Sequence, residues 1–166
     1  ILIMSPADGL IKDIEVLKKE NIEFSPDRDM VRIGIFLSVF DVHVNRAPAD
    51  MTVNFKRYKE GKYLDARNPN ASKENESMLI AGQAEINGVR FPVAVRQISG
   101  AIARRIVCPV EPGRVLKKGE IYGMIKFGSR TELYLPADSN IVINAKIGDR
   151  VYSGISVMAT LAAEAR

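Results

Sequence analysis

The sequence predicts a mainly β protein, α+β at most, shaped as a sandwich or flattened barrel of two similar halves. Three observations carry this. Branched and aromatic residues gather in strand-length runs, the last third contains an internal repeat, and helix is confined to two short candidate stretches.

Residues 14–20 are one helical candidate. Residues 31–40, Val-Arg-Ile-Gly-Ile-Phe-Leu-Ser-Val-Phe, have the composition of a buried strand. Residues 51–58 alternate, which puts Val53 and Phe55 on one face and Asn54 and Lys56 on the other. Residues 68–77 are polar and read as a loop. Residues 78–85 and 89–98 flank Asn87-Gly88, a tight hairpin turn. Residues 101–107 fit a short helix or a strand. The repeat pairs residues 112–119 with 147–154: Gly113 and Gly119 match Gly148 and Gly154, provided one residue slips near Val115. Each glycine supplies a turn. A second echo sets Pro6-Ala7-Asp8-Gly9 against Pro136-Ala137-Asp138-Ser139.

The 166 residues suffice for one domain, 1–166, with a real core. A net charge of +4 suits an anionic partner such as a phosphate-bearing lipid. No Trp is present, and aromatic and basic residues do not alternate, which argues against a nucleic-acid partner. The single cysteine, Cys108, excludes an intrachain disulfide and a cysteine-cluster metal site, and no metal is expected. It reads as a buried apolar residue. No stretch is long and apolar enough to span a membrane as a helix, and no signal peptide is visible. The chain opens at Ile1 rather than Met, which leaves room for an N-terminal anchor now removed.

The repeat resembles the flattened barrel of biotinyl and lipoyl carrier domains, where a Gly-Asp-x-Val-x-x-Gly stretch recurs, as in Gly148-Asp149-Arg150-Val151-Tyr152-Ser153-Gly154. A carrier displays a modified lysine on an exposed hairpin turn. Counting back from Pro136-Ala137-Asp138, that turn falls here on Gly128-Ser129, and the lysine is missing. Gly-Ser is a bond type that a protein can cut in itself: the hydroxyl attacks the preceding carbonyl and the glycine lets the backbone bend. The attack needs a base that titrates near neutrality, and the one histidine is His43, in Asp41-Val42-His43-Val44-Asn45-Arg46-Ala47-Pro48. Asp41 lies two residues away, where a strand would put both side chains on one face, or it caps a turn; Asp8, in Pro6-Ala7-Asp8-Gly9, reads by itself as a turn residue.

Four stretches together resemble the phosphatidylserine decarboxylase proenzymes of the short type. They are Ser5-Pro6-Ala7-Asp8-Gly9, Asp41 through Pro48, Ala103-Arg104-Arg105-Ile106-Val107-Cys108 and Met124-Ile125-Lys126-Phe127-Gly128-Ser129-Arg130. The resemblance implies cleavage between Gly128 and Ser129, giving chains 1–128 and 129–166 that stay associated. It implies a pyruvoyl cofactor made from Ser129, with Asp8 and His43 in proton transfer. The head-group amine of phosphatidylserine would condense with the pyruvoyl, which then takes up the electrons left by CO₂. The product is phosphatidylethanolamine. Longer members carry His-x-x-His where this chain has His43 and Arg46, so His43 serves both reactions or another group serves one. Their Leu-Gly-Ser-Thr is Phe-Gly-Ser-Arg here.

Cations for the substrate phosphate or the membrane are Arg46, Arg104, Arg105 and the Lys56-Arg57-Tyr58-Lys59 cluster. Each contributes about 1 kcal/mol near an anionic surface. Phe36, Leu37, Val39 and Phe40 form an apolar patch for acyl chains, or core. The expected partners are an anionic phospholipid and the cytoplasmic membrane face, met peripherally, with a homo-oligomer left open. The alternatives are the same chemistry on archaetidylserine, or a carrier or scaffold domain without catalysis.

Overall fold

A computed structural model describes residues 2–38, 41, 44–68, 70–101, 105–125 and 128–162. Within them, fourteen strands and one α-helical turn follow in order: β1 (Leu2–Met4), β2 (Gly9–Leu17), β3 (Met30–Leu37), β4 (Val44–Arg46), β5 (Met51–Lys59), α1 (Ala71–Glu74), β6 (Ser77–Ile86), β7 (Val89–Ile98), β8 (Ile106–Val107), β9 (Val115–Leu116), β10 (Ile121–Ile125), β11 (Ser129–Pro136), β12 (Ile141–Ile143), β13 (Arg150–Val151) and β14 (Val157–Leu161). Eight form one antiparallel sheet, ordered β13-β2-β3-β11-β7-β6-β5-β9, which curls into a half-barrel. Two three-stranded sheets, β1-β14-β12 and β4-β10-β8, close its inner face. The main core lies between them, with Ile35, Leu37, Val93, Val95 and Leu133 from the large sheet against Ile3, Ile125 and Met158. Fully burying one such side chain contributes roughly 1.5–3 kcal/mol.

The two predicted halves are real, and one is inserted into the other. Strands β4 to β10 form the second half; β1 to β3 and β11 to β14 form the first. Gly148 N–H donates to Ile11 C=O (2.8 Å) and Ile11 N–H to Asp149 C=O (2.9 Å). In the other half Gly113 N–H donates to Val53 C=O (2.7 Å) and Val53 N–H to Arg114 C=O (2.9 Å). The halves also bond to each other reciprocally, Met4 N–H to Pro48 C=O and Arg46 N–H to Pro6 C=O, both 2.9 Å. Gly113, Gly119, Gly148 and Gly154 all have left-handed φ, which explains why glycine recurs at those positions. The repeat aligns without slippage: Leu116 pairs with Met51 as Val151 pairs with Gly9, and both Leu116 and Val151 are buried.

Several expectations change. Residues 14–20 continue as strand β2 to Leu17, and only a single 3₁₀ turn follows at Lys19–Asn21. Pairing along the edge of β3 outweighs the local helical preference. The 68–77 segment holds the turn α1, and Ser77 already belongs to β6. Val53 and Phe55 face opposite sides, because a bulge at Asn54 shifts the register between them. Val53 enters the main core, while Phe55 packs on the outer face with Tyr134 and Ala94. The Asn87-Gly88 hairpin is as expected, with both residues at positive φ. Residues 106–107 are strand, and 102–104 lie outside the described residues. Cys108 is buried in the core.

The outer face of β11 carries buried charge. Glu132 is 1% exposed and lies among Arg130 (2.9 Å), Arg32 (3.6 Å) and Arg96 (3.5 Å), and it accepts from the Tyr134 hydroxyl. Removing one partner from such a set typically costs about 3–5 kcal/mol. The Arg130 guanidinium lies over Gly34, where a Cβ would come within 2.4 Å of it, which explains a glycine in mid-strand. Arg130 also grips both oxygens of Asp13, at 2.5 and 2.7 Å. Burial alone would raise the Asp13 carboxyl, but this pairing outweighs it and holds the group below its ordinary value. A depressed folded pKa stabilises above the unfolded value near 4, and that stability is lost as pH falls through the folded value. We therefore expect urea-unfolding stability to drop below about pH 4, and Asp13→Asn to be less stable at neutral pH with a flatter acid limb.

Candidate functional site

Gly128-Ser129 lies where the chain returns from the inserted half to the first one. The likeness to a carrier domain predicts an exposed hairpin turn here. Instead β10 and β11 belong to different sheets, and Ser129 is the first residue of the central strand and fully buried. Ser129 pairs with Leu37, and Gly128 N–H donates to Leu37 C=O at 2.7 Å. Gly128 has φ +73, and a Cβ placed on it would meet nothing within 4 Å, so its glycine answers a conformational need.

The other crossing between halves runs from Leu37 to Val44. Its two ends are held against the two ends of the first, with Leu37 paired to Ser129 and Val44 to Met124. His43 belongs to this crossing and lies outside the described residues. So do Arg104, Val39 and Phe40. The Val44–Met124 pair nevertheless anchors the chain immediately after His43 to β10, the strand that leads into Gly128-Ser129.

A buried polar cluster braces these crossings. Ser129 and Thr131 share the inner face of β11. Asn45 Nδ2 donates to Thr131 Oγ1 and Pro6 C=O, both at 3.4 Å. Gln97 Nε2 donates to Asn45 Oδ1 (2.9 Å), Val107 C=O (3.2 Å) and Met124 C=O (3.3 Å). Gln97 therefore ties β7 to both β4 and β10, the strands that flank the two crossings.

Asp8 is buried, and its Oδ1 accepts from Ser153 N–H at 2.7 Å. Asp50 does the same in the other half, accepting from Lys118 N–H at 2.8 Å. The true counterpart of Pro6-Ala7-Asp8 is therefore Pro48-Ala49-Asp50. Pro136-Ala137-Asp138, the echo suggested by the sequence, merely ends β11, where Asp138 binds Arg28 and Asn140 N–H. Asp41 accepts from Ser38 N–H (2.6 Å) and Arg150 (2.7 Å).

The basic candidates are mostly engaged. Arg46 donates to Gly119 C=O at 2.8 Å. Lys56 reaches Cys108 C=O and Glu111, Arg57 pairs with Glu23, and Lys59 bonds Lys73 C=O. Tyr58 donates to Glu76, and its phenol is pushed up to about 12, mainly by that bond. Arg105 is exposed. Leu37 is core rather than surface patch, and Phe36 turns to the outer face. There a cleft of about 400 Å³ is lined by Lys12, Arg32, Phe36, Arg67 and Arg130. Among the described residues no cluster could hold a metal ion, and no helix is long and apolar enough to cross a membrane.

The duplicated aspartates supply an internal control. Asp8→Asn and Asp50→Asn should each lower stability by about 1 kcal/mol, through loss of one charge-assisted bond. Matched losses in the two halves, read from denaturation midpoints, are the expected outcome.

Comparison with known proteins identifies a family. The profile of the phosphatidylserine decarboxylase family matches residues 2–159. A phosphatidylserine decarboxylase proenzyme of Carboxydothermus hydrogenoformans is 48% identical over 94% of this chain and 70% of its own length. Those of Geotalea daltonii and Aromatoleum aromaticum are 39% and 40% identical over 94% and 96% of the chain, and 69% and 70% of their own lengths.

Proposed function

The chain belongs to the phosphatidylserine decarboxylase family, and we propose that it matures by cutting itself before Ser129 and then converts phosphatidylserine to phosphatidylethanolamine. The observation that carries this reading is the clamped Gly128-Ser129 junction at the seam of the two halves. The residues there fit a pyruvoyl group. A left-handed glycine precedes a serine whose backbone is locked in a central strand, so the new terminus would stay in place after the cut.

In the first stage His43, with Asp8 to orient it, takes the Ser129 hydroxyl proton. Oγ bonds to the Gly128 carbonyl carbon, the C–N bond breaks, and an ester replaces the amide. Loss of the Ser129 Cα proton expels the Gly128 carboxylate and leaves a dehydroalanine terminus. Water then releases ammonia and leaves the pyruvoyl. Once formed, that group supplies the electron sink for loss of CO₂ from the serine head group. His43 protonates the carbon that loses CO₂, and Arg105 offers a cation to the phosphate or the membrane surface. Strand β11 is paired on both sides, which supports continued association of chains 1–128 and 129–166 after the cut. A lipid substrate and the positive charge support peripheral contact with an anionic bilayer.

The denatured mass decides the matter. We expect two fragments, the smaller one starting at 129 and blocked to amino-terminal sequencing, and CO₂ release from phosphatidylserine vesicles. Ser129→Ala should remain one chain, and His43→Ala should cleave at least about 100-fold more slowly. One intact mass after long incubation would falsify the reading.

A further inference from the structure

We infer that Gly100 is a positioning residue for the self-cleavage proposed above, the surface against which the carbonyl of the scissile peptide is seated. A Cβ on Gly100 would lie 1.7 Å from the Gly128 carbonyl oxygen and 2.8 Å from its carbon. No side chain fits there without moving the bond to be cut. Gly100 has no left-handed φ, so conformation does not explain its glycine. Gly128 is the reverse case, left-handed and with open space around it. One glycine shapes the scissile residue and the other makes room for its oxygen.

Gly100 is itself held firmly. It follows Ser99, whose N–H and hydroxyl both donate to Glu76 C=O, at 3.0 and 3.2 Å. The fully buried Asn75 donates through Nδ2 to Ser99 C=O and to Leu64 C=O, both at 2.7 Å. Its Oδ1 accepts from Leu64 N–H at 2.8 Å. Asn75 thereby joins the end of β7 to the 64–66 segment, and a Cβ on Gly100 would also meet the Ala66 Cβ at 3.6 Å. Gly128 N–H donates to Leu37 C=O while its carbonyl oxygen packs close against Gly100, so the residue is confined on both sides. A side chain at residue 100 would have to displace the scissile carbonyl, and displacement by an ångström costs such a reaction about 100-fold.

The test follows chain cleavage over time in freshly purified full-length protein. Gly100→Ala should cleave about 100-fold more slowly than wild type, while Leu161→Ala, a packing change in the β1-β14-β12 sheet, cleaves at the wild-type rate. The fraction of Gly100→Ala that matures should release CO₂ at the wild-type rate per cleaved chain, a split that simple destabilisation does not produce. A wild-type cleavage rate in Gly100→Ala overturns the inference. If Gly100→Ala does not fold, Asn75→Asp decides: slower cleavage in folded protein supports it, and an unchanged rate overturns it. If wild type itself never cleaves, it is the underlying self-cleavage reading that fails.

Discussion

The antiparallel ladders on either side of β11 are the constraint on which the rest of the molecule depends. This strand pairs over its full length with β3 and over five residues with β7, and all eight of its residues are buried. Among the described residues, the β7–β11 ladder is what joins the two four-stranded portions of the large sheet. On the inner face β11 contributes Leu133 and Leu135 to the core. On the outer face it brings charge into a place where charge is costly, so Glu132 must gather its arginines. Packing and electrostatics are therefore fastened along one strand, and its first residue is Ser129.

Much of the architecture is legible in the sequence because its causes are local. Asn87-Gly88 specifies a hairpin whatever surrounds it, and the spaced glycines of 113–119 and 148–154 mark turns that only glycine makes easily. What escapes a reading of the sequence depends on distant partners. Residues 14–17 favour a helix by composition and become strand because β3 offers a ladder. Phe55 changes face because one bulged residue reverses the alternation, and no local pattern announces a bulge. The insertion of one half into the other leaves no mark in a repeat confined to the last third of the chain.

The site divides in the same way. Gly128-Ser129 stands out by residue type, but its burial follows from which strands meet. Pro48-Ala49-Asp50 carries a usable sign of the duplication, the Pro-Ala-Asp triplet, and only the matching bonds to Ser153 and Lys118 make the correspondence plain. Gly100 and Asn75 give no sign. A glycine required for closeness looks like any other until its neighbour is known, and a buried asparagine in a polar stretch reads as loop.

The junction's grip on Gly128 has a consequence for the life of the newly made chain. Its amide donates to residue 37 and its carbonyl oxygen lies close against residue 100, so this arrangement exists only when three segments far apart in sequence have met. Contacts of such long range form late and slowly. Under the proposed self-cleavage the chain would carry its own checkpoint: translation alone would not arm it, and a misfolded copy would stay inert. The appearance of the short fragment would then time the completion of folding in the cell, without any added probe.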